Sequence, residues 1–354
     1  MNLKTYTLAV VIIVFTITSC TKSNTAANKV ITPPTHSTQP TGPGTVVYVS
    51  GNVTGSQSIS IATCWKNGVA VALADSSSNS YAYALAVSDT DVYVAGSVNN
   101  NATYWKNGKA TALAGGYLGV GTGIAVNGTD VYVAGCSIVN NVDVATIWKN
   151  GVATILAGDA NSSSFAVSVA ISGSDVYVAG YMLAAGNAET LCYWKNGVIA
   201  KLSTNTSSGF ATYILGSINI AVLGSNVYVT GAVYNTTDTQ LIATYWKNGT
   251  DVPLATDGNV TSSGVNAITT NGTDVYTAGF DGYTATYWKN GSAVSLNNGV
   301  QQYNANAITV NNSIVYVAGY AGYGSTNAVY WKGGTLVPLS TRNSVATGIG
   351  VVQH

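Results

Sequence analysis

The sequence predicts an all-β fold, a seven-bladed β-propeller of four-stranded antiparallel blades. Three observations predict it: a repeated Trp motif, a Val-Tyr-Val-Ala-Gly motif ahead of each Trp, and an incomplete repeat at each end of the domain. Successive tryptophans lie 40, 43, 46, 52, 42 and 43 residues apart. This period is typical of a propeller blade. The tryptophans are Trp65, Trp105, Trp148, Trp194, Trp246, Trp288 and Trp331.

The repeat over residues 119–156 shows the four strands most clearly. Its apolar runs predict strands at 119–126, 131–135, 144–149 and 152–156. Asn150-Gly151 joins the last two runs, and this dipeptide favours a type I′ hairpin because both central residues need a positive φ. Each repeat is therefore predicted to be an antiparallel meander. A parallel β-helix is disfavoured because its rungs contain no such reversals.

The two ends of the domain predict how the ring closes. The first repeat starts at its second strand, Thr45 to Gly51, with no first strand ahead of it. The last repeat is followed by Ser344 to Val352, which has the pattern of a first strand. We expect this C-terminal strand to complete the first blade beside the N-terminal strands, which removes the free edges of the ring.

The order of strands also predicts two different faces. Turns between strands one and two, and between three and four, are short and repetitive, whereas the other connections vary in length and content. Variable loops on a rigid scaffold are where binding usually occurs. The non-repeated aromatic residues near these loops lie among Asn, Ser, Thr and Gly, a setting suited to a sugar or a protein partner. They are Tyr117, Tyr181, Tyr234, Phe280, Tyr283, Tyr320 and Tyr323.

The repeated tryptophans are interpreted as packing residues between blades rather than as a ligand-stacking ring, because each occurs once per blade in mid-strand. A lysine follows each Trp, and four of the first hairpins supply an aspartate at the same end. We expect these lysines to lie along apolar surface, some of them near an Asp.

Composition disfavours several classes of function. The only histidines are His36 and His354, outside the repeats, so no catalytic residue is assigned and no metal or cofactor is expected. Equal numbers of acidic and basic residues give no electrostatic case for nucleic acid. Paired loop carboxylates keep a glycan-active enzyme open as an alternative. The loop carboxylates are Asp75, Asp143, Asp159, Glu189, Asp238, Asp257 and Asp281.

The N-terminus has the pattern of a secretory signal, with Lys4 followed by an apolar run and Ile17-Thr18-Ser19-Cys20. These four residues resemble the lipobox of bacterial lipoproteins. The resemblance implies a signal peptide over 1–19, a lipid-modified Cys20 and attachment to a membrane of the bacterial cell envelope. Residues 20–44, rich in Pro and Thr, are interpreted as a tether, and 45–354 as the propeller.

The repeat unit, Ala-Thr-Tyr-Trp-Lys-Asn-Gly followed by Val-Asn-Gly-x-Asp-Val-Tyr-Val-Ala-Gly, resembles the extracellular HAF-type repeats of bacteria. The resemblance covers residues 45–352 and implies no catalytic residue. The sequence therefore predicts a lipid-anchored binding or scaffold module at the outer membrane or cell surface, with a glycan or an envelope protein as its ligand. The alternatives are a glycan hydrolase or lyase and a scaffold for outer-membrane assembly.

Overall fold

The structure is a computed structural model, and it describes residues 44–117, 119–159, 162–183, 189–202, 210–213, 218–235, 240–256, 262–296, 302–322, 326–340 and 343–353. These residues form seven antiparallel sheets, so the predicted seven-bladed propeller is confirmed. Thr41–His354 form one compact unit. Cys20 and the rest of residues 1–43 lie outside the described residues.

Six of the seven blades are each built from four strands that follow one another from the axis outward. In that order, blade 1 consists of Ser344–Gln353, Thr45–Thr54, Ser60–Lys66 and Val69–Ala72, and blade 2 of Ser80–Ser88, Asp91–Val98, Asn101–Lys106 and Lys109–Tyr117. Blade 3 consists of Val120–Asn127, Asp130–Val139, Val142–Lys149 and Val152–Ile155, and blade 4 of Ser163–Ser172, Asp175–Leu183, Glu189–Lys195 and Val198–Lys201. Blades 6 and 7 follow the same order, with Ser263–Asn271, Asp274–Asp281, Thr284–Lys289 and Ser292–Ser295, then Tyr303–Asn311, Ile314–Ala321, Asn327–Lys332 and Thr335–Pro338. A 3₁₀ helix, Ser56–Ser58, lies between the second and third strands of blade 1.

Blade 5 departs from this plan in its first strand. Two short segments, Phe210–Tyr213 and Ile220–Leu223, both pair with the second strand, Asn226–Asn235. The third and fourth strands, Gln240–Lys247 and Thr250–Pro253, are regular. The repeat pattern did not predict this interruption.

The ring closes through blade 1, as the chain ends predicted. The C-terminal strand pairs antiparallel with the first strand of the chain, from Thr45 opposite Gln353 to Val53 opposite Ser344. The Ser344 hydroxyl also accepts a hydrogen bond at 2.9 Å from the Ala328 backbone N–H of blade 7. One strand thus completes blade 1 and also contacts blade 7.

The Asn-Gly hairpins explain why the repeat motif is so regular. In blade 1, Asn67 and Gly68 have φ of 48° and 83°, the positive values of a type I′ turn. The Asn67 side-chain oxygen accepts a hydrogen bond of 2.9 Å from the backbone N–H of Val47, which ties the turn to the second strand. The same bond recurs from Asn107, Asn150, Asn196, Asn248 and Asn290. Blade 7 has Gly333-Gly334 there instead.

The seven tryptophans are all 0–1% exposed and lie between blades. The indole N–H of Trp148 donates to the Ala114 carbonyl of the preceding blade at 2.8 Å. Trp194 and Trp288 make the equivalent bonds, each 2.6 Å, to the carbonyls of Ala157 and Ala255. These side chains therefore hold neighbouring blades together through both apolar area and a directed bond.

The lysine after each Trp extends across the ring of the tyrosine in the second strand, with Nζ 5.2–6.0 Å from the ring centroid. Four of them also pair with an aspartate at 2.7–2.8 Å, as in Lys106–Asp91. The hydrogen bond from the lysine is the main cause that lowers the pKa of Asp91. These exposed pairs make the face of short turns polar and regular.

Candidate functional site

The centre of the propeller is shaped by β-bulges in the innermost strands. In six blades the ladder between the first two strands skips one residue of the first strand. Each skipped residue lies in the first half of its strand, the half nearer the variable-loop face. The bulged residues are Thr347, Tyr83, Thr122, Val167, Asn266 and Asn306, from blades 1, 2, 3, 4, 6 and 7 respectively.

The glycine of Val-Tyr-Val-Ala-Gly is required by these bulges. A Cβ on Gly96 would lie 1.8 Å from the carbonyl oxygen of Tyr81, and one on Gly319 would lie 1.9 Å from that of Asn304. Both carbonyls belong to residues two positions ahead of a bulge. Gly231 in blade 5, where the first strand is interrupted, would instead meet the ring of Trp246 at 2.9 Å. The motif glycine thus permits the close backbone approach that a bulge needs.

Bulged side chains connect one blade to the next around the axis. Thr122 Oγ1 donates to the carbonyl of Ala166 at 2.9 Å, and Thr347 Oγ1 donates to that of Ala82 at 3.0 Å. Each acceptor is the residue just before the bulge of the following blade. Asn266 and Asn306 make the same kind of bond through Nδ2, at 2.8 Å and 2.9 Å, to Ala305 and Ala346. The Asn306 and Thr347 bonds flank the closing strand and stabilise the point of closure.

A cavity of about 470 Å³ lies on the axis at the level of the bulges. All seven blades line it, and its polar wall includes Tyr83, Ser168 and Asn219 as well as the bulged Thr and Asn residues. Aliphatic residues two positions further along each strand, such as Ile124 and Ile349, form a second, apolar level. No Asp, Glu, Lys or Arg of the described chain is part of this wall.

The polar wall has hydrogen-bonding capacity beyond the bonds between blades. Asn266 and Asn306 use only their Nδ2 atoms in those bonds, so their side-chain oxygens remain as acceptors. Burial raises the pKa of the Tyr83 phenol to about 12, so the phenol is neutral at physiological pH, and its hydroxyl is hydrogen-bonded with the Ser97 side chain. The cavity therefore offers neutral hydrogen-bond donors and acceptors next to a level of aliphatic side chains. Its volume lies in the range of small-molecule sites.

Of the seven aromatic residues expected to bind ligand, those with described side chains do not line this cavity. Tyr283 is 74% exposed on the variable-loop face, and Tyr320 is half-buried. Tyr181 stacks on Phe165 with centroids 4.7 Å apart, and Phe280 covers Gly264. Tyr117 and Tyr234 belong to strands, but their side chains lie outside the described part of the structure, as does Tyr323.

The sequence patterns did not predict the ring of bulged residues around the axis, although the sequence contains a signal for it. The bulged residue stands between two small residues in Ala-Tyr-Ala, Gly-Thr-Gly, Ala-Asn-Ala and Ala-Thr-Gly, centred on Tyr83, Thr122, Asn306 and Thr347. A polar or bulky residue flanked by small ones at the same place in each first strand marks the position. Plain alternation of apolar and polar residues hides it, because a bulge shifts the phase by one.

The loop carboxylates are dispersed. Asp75 accepts from the Ser77 backbone N–H at 2.8 Å, and Asp159 pairs with Lys201 at 2.8 Å. Asp281 is buried in blade 6, and Asp238 and Asp257 lie outside the described residues. Within the described ranges, no group of three His, Cys, Asp or Glu residues could hold a metal ion.

Asp143 and Glu189, on blades 3 and 4, both raise the pKa of Tyr181. Burial raises the pKa of Tyr181 to about 12, and the charge of Glu189 and then that of Asp143 add to the rise. Burial also raises the pKa of Asp143 itself. Both carboxylates lie outside the cavity wall.

The three cysteines of the propeller are free thiols. Burial raises the pKa of Cys64 to about 12, that of Cys136 to about 11 and that of Cys192 to about 12. They are therefore protonated and poor nucleophiles at neutral pH. In the portion of the chain that is described, no helix has the length and apolar character needed to cross a membrane.

No protein-family model and no curated protein matches the chain. A chain of a nidogen/laminin complex matches with 11% identity and a TM-score of 0.44, over 87% of this chain and 98% of that one. The β-propeller domain of the trilobed protease from Pyrococcus furiosus matches with 10% identity and a TM-score of 0.48, over 85% and 96%. At these identities the similarity concerns the fold alone. The chain is a seven-bladed repeat propeller, a fold consistent with a binding or scaffold module.

Proposed function

We propose that this chain is a lipid-anchored binding module of the bacterial cell envelope. Its ligand is a neutral glycan, held in the axial cavity and on the surrounding variable-loop face. The main support for this proposal is the composition of the cavity wall. Asparagine, threonine, serine and tyrosine side chains surround a cavity of about 470 Å³, and none of the described wall residues is charged.

The chemistry of this wall supports a sugar more than a charged ligand. A neutral saccharide presents hydroxyl groups that both donate and accept, and the free oxygens of Asn266 and Asn306 match the donors. Tyr83 contributes to the cavity wall, and Tyr283 adds an exposed ring at the rim of the variable face. A phosphate or carboxylate ligand would find no cation among the described residues of this wall to replace its lost hydration.

The proposed anchor rests on the N-terminal pattern and on where the propeller begins. Residues 17–20 resemble a lipobox, and the Pro- and Thr-rich tether leads to Thr45 at the start of a second strand. Second strands begin at the face of short turns. A tether attached there would bias the variable-loop face away from the membrane and toward a ligand, in keeping with the resemblance to extracellular HAF-type repeats.

A glycan array tests the proposed ligand. We expect the purified chain to bind a restricted set of neutral glycans, and Tyr83→Ala and Tyr283→Ala each to weaken that binding at least tenfold. Lys332→Gln, on the face of short turns, is the matched control and should bind like the wild type. Absence of binding to any glycan would refute the carbohydrate assignment and direct the search to a protein partner by cross-linking on intact cells.

The anchor has its own test. Metabolic labelling of the chain in a bacterial host with an alkyne-bearing palmitate should modify the wild type, and Cys20→Ser should abolish the label. Equal labelling of both chains would show that Cys20 is not the site of lipid attachment.

A further inference from the structure

The interface between blades 1 and 2 differs from the other interfaces at one repeated position. The Trp of each blade packs against the residue that precedes the Trp of the blade before it, as Trp148 packs against Tyr104. Five blades place tyrosine at this preceding position and blade 3 places Ile147. Blade 1 places Cys64 there, and Trp105 of blade 2 therefore meets a thiol instead of a ring.

The missing ring leaves a groove of about 350 Å³ between the two blades. An engineered apolar cavity of about 150 Å³ already holds benzene, so this volume is sufficient for a larger apolar molecule. The indole N–H of Trp105 is buried and has no hydrogen-bond acceptor, as is also the case for Trp65 and Trp331.

The groove wall is mostly apolar and its mouth carries a positive charge. Val71, Leu73, Val92 and Val94 line it, and Val71 is 55% exposed. Lys66 also lines it, with Nζ 5.6 Å from the Tyr48 ring centroid.

Lys66 lacks the carboxylate that pairs with four of its six counterparts. In blades 2, 3, 4 and 6 the lysine after the Trp pairs with the aspartate that begins the second strand. Blade 1 has Val46 at the equivalent place, and no described carboxylate pairs with Lys66. An apolar groove with an uncompensated ammonium at its mouth is complementary to a molecule with an apolar chain and an anionic head.

We propose that the groove between blades 1 and 2 is a second ligand site, separate from the axial cavity, which binds a medium-chain fatty acid. Its alkyl chain lies along Val71, Leu73, Val92 and Val94, and its carboxylate faces Lys66 at the mouth. Binding is non-covalent because the Cys64 thiol stays protonated at neutral pH.

Calorimetric titration of the full chain with octanoate and decanoate, below their micellar concentrations, tests this site. Decanoate should bind, and more tightly than octanoate, by about fourfold for each methylene that the groove accommodates. Cys64→Tyr restores the residue that most blades carry and fills the groove, so it should weaken decanoate binding at least tenfold. The same variant should unfold at the same temperature as the wild type or at a higher one.

Matched variants separate volume from charge. Cys64→Ala keeps the position small and should leave decanoate binding unchanged. Lys66→Gln should weaken decanoate several-fold without affecting decanol, while Lys332→Gln, at the same repeat position in blade 7, should change neither. Val71→Phe fills the groove from the exposed outer strand and replaces Cys64→Tyr if that variant does not fold.

The proposal would be overturned if the wild type did not bind decanoate, or if folded Cys64→Tyr or Val71→Phe bound it as tightly as the wild type. It would also be overturned if Cys64→Ala weakened decanoate binding as much as Cys64→Tyr does. Binding of decanoate should also be independent of any glycan that the array selects, because the two sites are lined by different residues. Competition between them would place decanoate in the axial cavity and contradict a separate site.

Discussion

Replacing two equivalent tryptophans by phenylalanine tests whether indole hydrogen bonds stabilise the blade interfaces. Trp148 and Trp105 occupy the same repeat position, and both are 0–1% exposed. Trp148 donates its indole N–H to Ala114 at 2.8 Å, whereas the N–H of Trp105 has no acceptor. Both substitutions remove the same atoms, and the two sites differ in the hydrogen bond and in the neighbouring side chain, which is Tyr104 for Trp148 and Cys64 for Trp105.

The expected difference in stability between the two variants depends on whether the indole N–H has a hydrogen-bond acceptor in the wild type. Trp148→Phe loses a net contribution of about 1 kcal/mol and leaves the Ala114 carbonyl without its partner, which raises the cost to about 1–3 kcal/mol beyond the loss of apolar area. Trp105→Phe removes a donor that is already unsatisfied, so it carries no such cost. We expect Trp148→Phe to be the more destabilising of the two by about 1–3 kcal/mol.

Urea unfolding followed by circular dichroism measures this difference, provided that the slope of the transition is the same in both variants. Trp194→Phe serves as a control and should behave like Trp148→Phe, because its indole N–H also donates to the preceding blade, at 2.6 Å. Equal destabilisation by Trp148→Phe and Trp105→Phe would refute the assignment of these bonds as stabilising contacts.

Four further variants test the bulges and a half-buried charge. Gly96→Ala should destabilise the chain by about 3 kcal/mol or more, because its Cβ would meet a backbone carbonyl at 1.8 Å, and Gly231→Ala by less, because its closest contact would be the Trp246 ring at 2.9 Å; equal unfolding temperatures would contradict this. Thr122→Val should cost about 1–2 kcal/mol in urea unfolding, since it removes the donor to the next blade, and an unchanged midpoint would refute it. Burial raises the pKa of Asp143, so its ionisation in the folded state costs stability as pH rises above its unfolded pKa; Asp143→Asn should therefore raise the melting temperature at pH 7 but not at pH 3, and an equal rise at both values would contradict that cause.

The blade count and the ring closure could be predicted because they depend on features that repeat. The Asn-Gly turns fix the hairpins, and the unpaired first strand at Ser344 leaves one partner, the strand that begins at Thr45. Both features are recognised from short stretches of sequence, and the structures they predict do not depend on how the blades pack.

The axial cavity could not be predicted in the same way. Its wall forms only when bulges in separate strands bring residues such as Tyr83 and Asn266 to one axis, and a bulge breaks the alternation by which strands are recognised. The aromatic residues chosen instead, such as Tyr283, stood out because they do not repeat. Cys64 was visible as an exception to its repeat, but its consequence depends on which tryptophan of the next blade packs against it.

The most direct test of the proposed function is a crystal structure of the chain with a glycan that the array selects. We expect saccharide density in the axial cavity, with hydroxyl groups donating to the side-chain oxygens of Asn266 and Asn306 and a ring within contact of Tyr83. Density on the face of short turns or along the outer strands, with the cavity holding only water, would contradict the proposed site.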